Sequence, residues 1–340
     1  MMLDFIQNLN LLISNLSYHG RNPIDWVLLS NGLTEFDENI IFFGFDKASS
    51  IPIFVAKVPR LPRNIAVIQT EHQRLSEIWD RLGEEKAQFV IPRPISLSKI
   101  QNQPILVTTY VNGESLVRLR ITNDPKKFLE FSLKAAKTLR YVLDKTITQL
   151  QPNELIQSNF FRKVEKFKQM YPLKTLEIKA VDELRSEIES TETQASHRIL
   201  IHGDYWHGNI ILEPKFGNYM LVDWQYSCWT NDASQDVYLF LLAGSLATIP
   251  NAEDPQLRAK KASQALVDWK EIIKAYLSEF GTSNSYNLLS LRSGMLMCCI
   301  DKGVRASLEL GFDREEDLVW FYFFRELLNL FDNHKLDTES

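Results

Sequence analysis

The chain has 340 residues, 45% of them apolar, enough for a large core in one big domain or two smaller ones. Its formal net charge of −5, with both signs interspersed, excludes a nucleic-acid binder, which would carry a basic stripe. The cysteines, Cys228, Cys298 and Cys299, show no metal-ligand spacing, and the adjacent pair is poorly placed to bridge. They fit a reducing cytoplasm; the first residues lack the positive segment of a signal peptide, and the longest strongly apolar run, Val237 to Thr248, is too short to span a bilayer.

Apolar residues at helical spacing predict a helix over residues 3–17. Strands are expected at Trp26 to Leu29, Ile40 to Phe45 and Pro52 to Val58, with a polar loop, Ser30 to Asn39, after the first. The third strand contains Lys57 in the string V-A-K-V. An unpaired ammonium is expensive to bury, so a lysine in an apolar strand normally has a partner or a ligand, unless it lies on an edge and points into water. A helix beginning near Ile65 carries Glu71 and Glu77. Ile91-Pro92-Arg93-Pro94 reads as a rigid connector, and Pro104 to Leu116 as a strand running into a glycine-containing turn. From Asp124 onward the periodicity is helical, with Asp124 as N-cap and Pro125 in the first turn. Further helices are expected near 154–170, 176–190, 234–248, 255–280, 284–309 and 314–333.

Residues 199–225 carry the most information. They contain His202-Gly203-Asp204, then Asn209, then Asp223 at the end of an apolar run. Asn209 to Leu212 and Tyr219 to Val222 are short apolar runs joined by Glu213 to Asn218, which includes Pro, Gly and Asn. The expected antiparallel hairpin sets Leu212 opposite Met220, Ile210 opposite Val222 and Asn209 opposite Asp223, the last two side chains roughly 5 Å apart at Cβ. Two oxygen donors so placed can share one Mg2+, with Asp204 in the loop just before. The plainer alternative is that Asp, Asn and Gly are here as ordinary turn residues. His202 and His207 flank Asp204, but no third nitrogen or sulfur ligand follows at a zinc spacing. Asp232 and Asp236 open the next helix, where Asp232 can serve as N-cap.

The string H-G-D-x4-N, an apolar hairpin, then V-D-W resembles the aminoglycoside phosphotransferase and choline kinase superfamily. The combination of H-G-D-x-W with D-x-Q, where many members carry Glu at the position of Gln225, looks closer to its ecdysteroid-kinase-like branch. The resemblance implies an α+β, protein-kinase-like fold: a small N-terminal β-sheet lobe over 1–111 and a larger, mainly helical lobe over 112–340. It implies that Asp204 orients and deprotonates a substrate hydroxyl, and that Asn209 and Asp223 hold Mg2+ on the phosphates of ATP. Lys57 would contact phosphates and pair with Glu71, a better match than Glu77. Backbone groups of Thr109, Tyr110 and Val111 would bind the adenine edge, the loop with Gly32 would cover the phosphates, and Asp236 would brace the catalytic loop.

The expected activity is transfer of the γ-phosphate of ATP to the hydroxyl of a small molecule. A nucleotide-binding pseudokinase and a protein Ser/Thr kinase stay open beside it. The first is disfavoured by the presence of Lys57, Asp204, Asn209 and Asp223; the second by Gly203 where protein kinases carry Arg and by the lack of an A-P-E segment. The acceptor and the oligomeric state are not legible. Trp206, Trp224 and Trp229 can box a cationic acceptor, and Asp313, Glu315, Glu316 and Asp317 can supply negative charge, though core packing and a helix dipole account for them as well.

Overall fold

A computed structural model describes residues 2–15, 24–29, 39–47, 49–100, 102–150, 160–193, 195–251, 253–281, 286–310 and 317–336. In chain order they form α1 (Met2–Asn15), β1 (Ile24–Leu29), β2 (Asn39–Asp46), β3 (Pro52–Pro59), α2 (Ile65–Leu82), α3 (Glu84–Ala87), β4 (Pro94–Ile100), β5 (Gln103–Thr109), β6 (Glu114–Ser115), α4 (Pro125–Thr146), β7 (Thr148–Gln149), α5 (Phe160–Met170), α6 (Thr175–Thr193), β8 (His197–Ile201), β9 (Ile210–Leu212), β10 (Tyr219–Leu221), β11 (Cys228–Thr230), α7 (Ser234–Ala247), α8 (Pro255–Asp268), α9 (Lys270–Ser278), α10 (Leu291–Leu310) and α11 (Asp317–Asp332). This is the expected α+β class. The chain divides into two compact units, Met1–Ser115 with Asn209–Ser227, and Leu116–Gly208 with Cys228–Ser340. No described helix is long and apolar enough to cross a membrane.

The first unit is built on a five-stranded antiparallel sheet of order β1-β2-β3-β5-β4. One face packs on α1: Leu9 and Ile13 join Phe42, Phe54, Ala56, Val58, Ile105 and Val107 in a buried cluster. Successive side chains of a strand point to opposite faces, so Lys57 between Ala56 and Val58 faces away from that cluster. On its own face it meets α2, whose buried stripe of Ile68, Leu75, Ile78 and Leu82 is interrupted by Glu71. Strand β4 starts at Pro94, the last residue of the expected connector, and runs through residues for which no element was expected. It lies at the sheet edge, and its alternation of Ile95 and Leu97 with Ser96 and Ser98 ends at Lys99. The hairpin β9–β10 belongs to this unit, with β6 completing a small three-stranded sheet.

The second unit is mainly helical. Asp124 caps α4 as expected, accepting the N–H groups of Lys126 and Lys127, and Asp254 does the same for α8. The helix expected over 255–280 is two helices: the chain turns at Trp269 (φ −97°, ψ 15°), whose ring packs tilted against that of Phe128, centroids 4.2 Å apart. A helix rich in apolar residues on every side, α7, is buried along nearly its whole length. The loop expected over the phosphates, 30–38 with Gly32, lies outside the described residues, as do 16 and 17 of the first expected helix and 154–159 of another.

Between β5 and β6, Gly113 has φ +151°, and a Cβ there would stand 2.2 Å from the backbone oxygen of Leu212 on β9. Gly113→Ala is therefore expected to destabilise the β6–β9 pairing by about 2 kcal/mol. Thermal unfolding followed by circular dichroism checks this, with Gly281→Ala as control, since the nearest atom to its Cβ is 3.8 Å away. Equal melting curves for the two variants would contradict the strain argument.

Candidate active site

In the first unit, the Lys57 ammonium donates to both carboxylate oxygens of Glu71, at 2.7 and 2.9 Å, and to Oδ1 of Asp223 at 2.7 Å. Its side chain is 13% exposed and that of Glu71 only 2%. Burial raises the Glu71 carboxyl and opposes the charge on Lys57, but two carboxylates facing one ammonium hold Lys57 protonated, above its ordinary range. The backbone N–H of Trp224 also donates to Glu71. The edge alternative for Lys57 is thus excluded: β3 is central in the sheet and the ammonium is paired.

The hairpin register is not the one expected. Leu212 pairs with Tyr219, Ile211 with Met220 and Ile210 with Leu221. Asn209 therefore stands level with Val222, whose N–H donates to its carbonyl at 3.0 Å, and not with Asp223. The turn sets this register. The Glu213 carboxylate accepts the N–H groups of Lys215 and Phe216, its own N–H donates to the Asn218 carbonyl, and Gly217 takes φ +66°. Glu213 thus closes the loop against Asn218, one residue off the expected alignment. Asp223 lies beyond the strand in a left-handed conformation (φ 68°, ψ 61°), ahead of a single 3-10 turn at Trp224–Tyr226. That turn is fixed by the Trp224 indole, which is fully buried and donates to the Leu221 carbonyl. Left-handed backbone, not strand alternation, aims the Asp223 carboxylate.

At the end of β5 the N–H of Thr109 donates to the Arg93 carbonyl at 3.0 Å and that of Tyr110 to the Ile53 carbonyl at 2.8 Å. The Thr109 hydroxyl accepts the Arg93 N–H. Of the three residues expected to meet a nucleotide base, only Val111 has an N–H without a partner among the described residues.

Asp204 sits in the second unit. Its loop is gripped from behind by the fully buried Asp236, whose oxygens accept the N–H groups of His202 at 2.6 Å and Gly203 at 2.8 Å. Burial pushes the Asp236 carboxyl up to about 7, against the pull of those two donors. Gly203 has φ +76°, a conformation glycine adopts at no steric cost. The loop's front is tied to α10. Lys302 and Arg305 both donate to Oδ1 of Asp204, and Arg305 also donates to the Gly203 carbonyl at 2.9 Å. Asp301 pairs with Arg305 and with Lys163 of α5. Burial alone would raise the Asp204 carboxyl; the two cations outweigh it and hold it below the usual carboxylate range. The basic residues around Asp204 were not anticipated. Their only trace in the sequence is a D-K-x-x-R string following the apolar run M-L-M-C-C-I.

Asp232 accepts the Ser234 N–H at 2.7 Å, but it stands one residue before the N-cap of α7, which is Ala233 and has no capping side chain. His207 is fully buried against Phe240, and burial lowers it to about 3, so it is a neutral core residue. No three His, Cys, Asp or Glu side chains gather into a metal-binding group among the described residues. Of the tryptophans near the motif, Trp224 is in the core of the first unit, and Trp229 of the second lies 5.0 Å from the Arg198 guanidinium. Asp317 is buried, and Asp313, Glu315 and Glu316 lie outside the described residues.

The sequence profile described as the phosphotransferase enzyme family matches residues 46–272. Among solved structures, an ethanolamine kinase from Plasmodium vivax is similar with a TM-score of 0.54 at 13% identity, over 92% of this chain and 84% of that one. A choline/ethanolamine kinase family protein from Mesorhizobium loti gives 0.53 at 16% identity, over 98% of each chain. These likenesses bear out the expected kinase-like fold. No curated protein matches the sequence.

The grip of Asp236 on the loop gives a direct test. In Asp236→Asn an amide nitrogen replaces one oxygen, so a donor faces a backbone donor in a buried site. The expected loss is about 2 to 3 kcal/mol in urea denaturation. An unchanged midpoint would mean that this carboxylate does not hold the loop.

Proposed function

We propose that this chain, which belongs to the phosphotransferase enzyme family, moves the γ-phosphate of ATP to a hydroxyl group of a small molecule with the assistance of Mg2+. The observation that carries the reading is the lysine of β3, held between a helix carboxylate and the aspartate that follows the hairpin. All three N–H groups of that ammonium are engaged. Glu71 is almost fully buried and further fixed by the Trp224 N–H, whereas Asp223 is 32% exposed. Asp223 is therefore the partner that yields when nucleotide phosphates approach Lys57.

Mg2+ fits the donors present. It is commonly held by one or two protein oxygens together with substrate phosphates and waters, not by a full protein cage. Asn209 and Asp223 would hold it, and when bound it neutralises charge on the phosphate oxygens. On the base side, Val111 offers the N–H that remains at the end of β5, so it is the donor to an acceptor nitrogen of adenine; the N–H groups of Thr109 and Tyr110 already serve the protein.

In the transfer, the acceptor oxygen forms a bond to the γ-phosphorus as the bond to the β,γ-bridging oxygen breaks, and ADP leaves with that oxygen. The proton of the acceptor hydroxyl passes to Asp204. An alcohol is far less acidic than a carboxylic acid, so Asp204 orients the hydroxyl first and takes its proton late. Five positions along the chain from Asp204, Asn209 opens the hairpin that ends at Asp223.

In a coupled nucleotide-consumption assay with Mg2+ and a panel of hydroxyl compounds, we expect acceptor-dependent turnover. Asp204→Asn lowers kcat by at least about 10²-fold while leaving nucleotide affinity close to wild type. Asp223→Ala instead weakens binding of the Mg2+ nucleotide. Near-wild-type turnover in Asp204→Asn would refute its role, and nucleotide binding with no transfer to any acceptor would favour a binding module.

A further inference from the structure

We infer that the acceptor carries an anionic group, a carboxylate or a phosphate, close to the hydroxyl that is phosphorylated, and that Lys302 is the residue that receives it. This rests on the reading of Asp204 as the group that meets the acceptor hydroxyl.

The cations near Asp204 do different work. Arg305 serves the protein: its guanidinium bonds Asp204, the Gly203 carbonyl and Asp301, linking the loop to α10. Lys163 pairs with Asp301, which is 3% exposed. Lys302 hydrogen-bonds only Asp204 among the described residues, with Asp301 near enough to feel its charge. An ammonium has three donors, and here the described residues take one, although the side chain is only 17% exposed. The other two are left for water or a ligand.

Positioning Asp204 does not explain Lys302. The loop is already held from behind by Asp236 and in front by Arg305. Arg305 already places a cation on the same carboxylate oxygen, so a second charge there adds nothing to its orientation. A neutral donor would orient Asp204 as well, so the charge of Lys302 has a use outside the protein.

The surroundings also argue against a cationic acceptor. Three cations meet two carboxylates at this site, Lys163, Lys302 and Arg305 against Asp204 and Asp301. Asp236 lies behind the loop with its oxygens engaged by backbone N–H groups. Of the aromatic and acidic residues named for a cationic box, Trp229 is occupied by Arg198 and Asp317 is buried. Because Lys302 and the acceptor hydroxyl would share one carboxylate, the ammonium lies within about 5 Å of the reacting oxygen, two hydrogen bonds' reach, and the anionic group one hydrogen bond further, within about 8 Å. Hydroxy acids and phosphorylated alcohols meet that requirement.

The test uses the full chain with ATP and Mg2+ and matched acceptor triplets, each a hydroxy acid, its amide and the corresponding amino alcohol, with phosphorylated alcohols as a separate arm. We expect kcat/KM to favour the anionic member of a triplet by 10- to 100-fold over the amide, about the worth of a charge-assisted hydrogen bond. In Lys302→Met that ratio falls towards one, through KM, and in Lys302→Arg it is largely restored. A phosphorylated alcohol outperforming every hydroxy acid would name the phosphate source of the anion. A wild-type preference for amide or amino alcohol would overturn the inference, as would a Lys302→Met variant that slows all members alike. Calorimetry with inorganic phosphate and with acetate, without nucleotide, separates the two readings. Anion binding that vanishes in Lys302→Met, in a protein with no transferase activity, would keep the subsite and discard the kinase. Neither anion binding nor an anionic preference in turnover would discard the subsite.

Discussion

The structure of the first unit depends on one buried ammonium. Lys57 lies in a central strand whose neighbouring side chains, Ala56 and Val58, point into an apolar cluster, so its charge can be satisfied only on the opposite face. Satisfying it dictates three things. Strand β3 must present Lys57 to α2; α2 must interrupt its apolar stripe with Glu71; and the chain after β10 must deliver an acid to the same point. Removing one partner of a buried pair costs on the order of 3 to 5 kcal/mol, because the remaining charge is stranded. The pairing therefore works as a constraint on how helix, sheet and hairpin assemble, even if its net contribution to stability is small. The same constraint leaves the unit with a partly exposed acid, Asp223, on its buried ammonium.

Backbone conformation does as much as side-chain chemistry. Asp223 and Gly203 both have positive φ, and each precedes or forms a point where the chain departs from a strand. At Asp223 the departure is held by the Trp224 indole and a 3-10 turn; at Gly203 it is held by the carboxylate of Asp236. Strained or unusual backbone persists only where the surroundings fix it, and in both cases a buried residue outside the reacting group supplies the fixing contact. Trp224 and Asp236 are thus part of the site's architecture although neither need touch a substrate.

What was legible in the sequence was what a single local rule could reveal. A charge inside an apolar strand marks Lys57, an acid on the following helix marks Glu71, and an Asp-Pro step marks the start of α4. The string of Asp204, Asn209 and Asp223 names the family before any geometry is known. The details that were missed needed two competing local rules, or contacts distant in sequence. The hairpin register turned on Glu213 folding its carboxylate back over its own turn, an arrangement that composition does not disclose. Strand β4 has only a short alternation, Ile95-Ser96-Leu97-Ser98, and is held in the sheet by pairing with β5. The helix break at Trp269 follows from a ring that packs on Phe128, more than a hundred residues earlier. Lys302 and Arg305 are nearly a hundred residues beyond Asp204, in a helix that periodicity alone presents as core.

The basic company of Asp204 bears on how such a carboxylate can work. Two cations on one oxygen hold it ionised and make it a poor base in the ground state. That would be a defect if the acceptor proton had to leave before the phosphorus–oxygen bond forms. In a loose phosphoryl transfer it need not: the acceptor oxygen becomes strongly acidic only as it bonds to phosphorus, and a weak base is then sufficient. Strong basicity earlier would add little, whereas an ionised, rigidly held carboxylate always presents an acceptor to the incoming hydroxyl. The ion pairs of Asp204 are therefore compatible with a group whose main task is orientation. On the reading proposed above, discrimination falls to whatever else the incoming molecule must satisfy, and among the described residues the ammonium of Lys302 beside Asp204 has hydrogen-bonding capacity to spare.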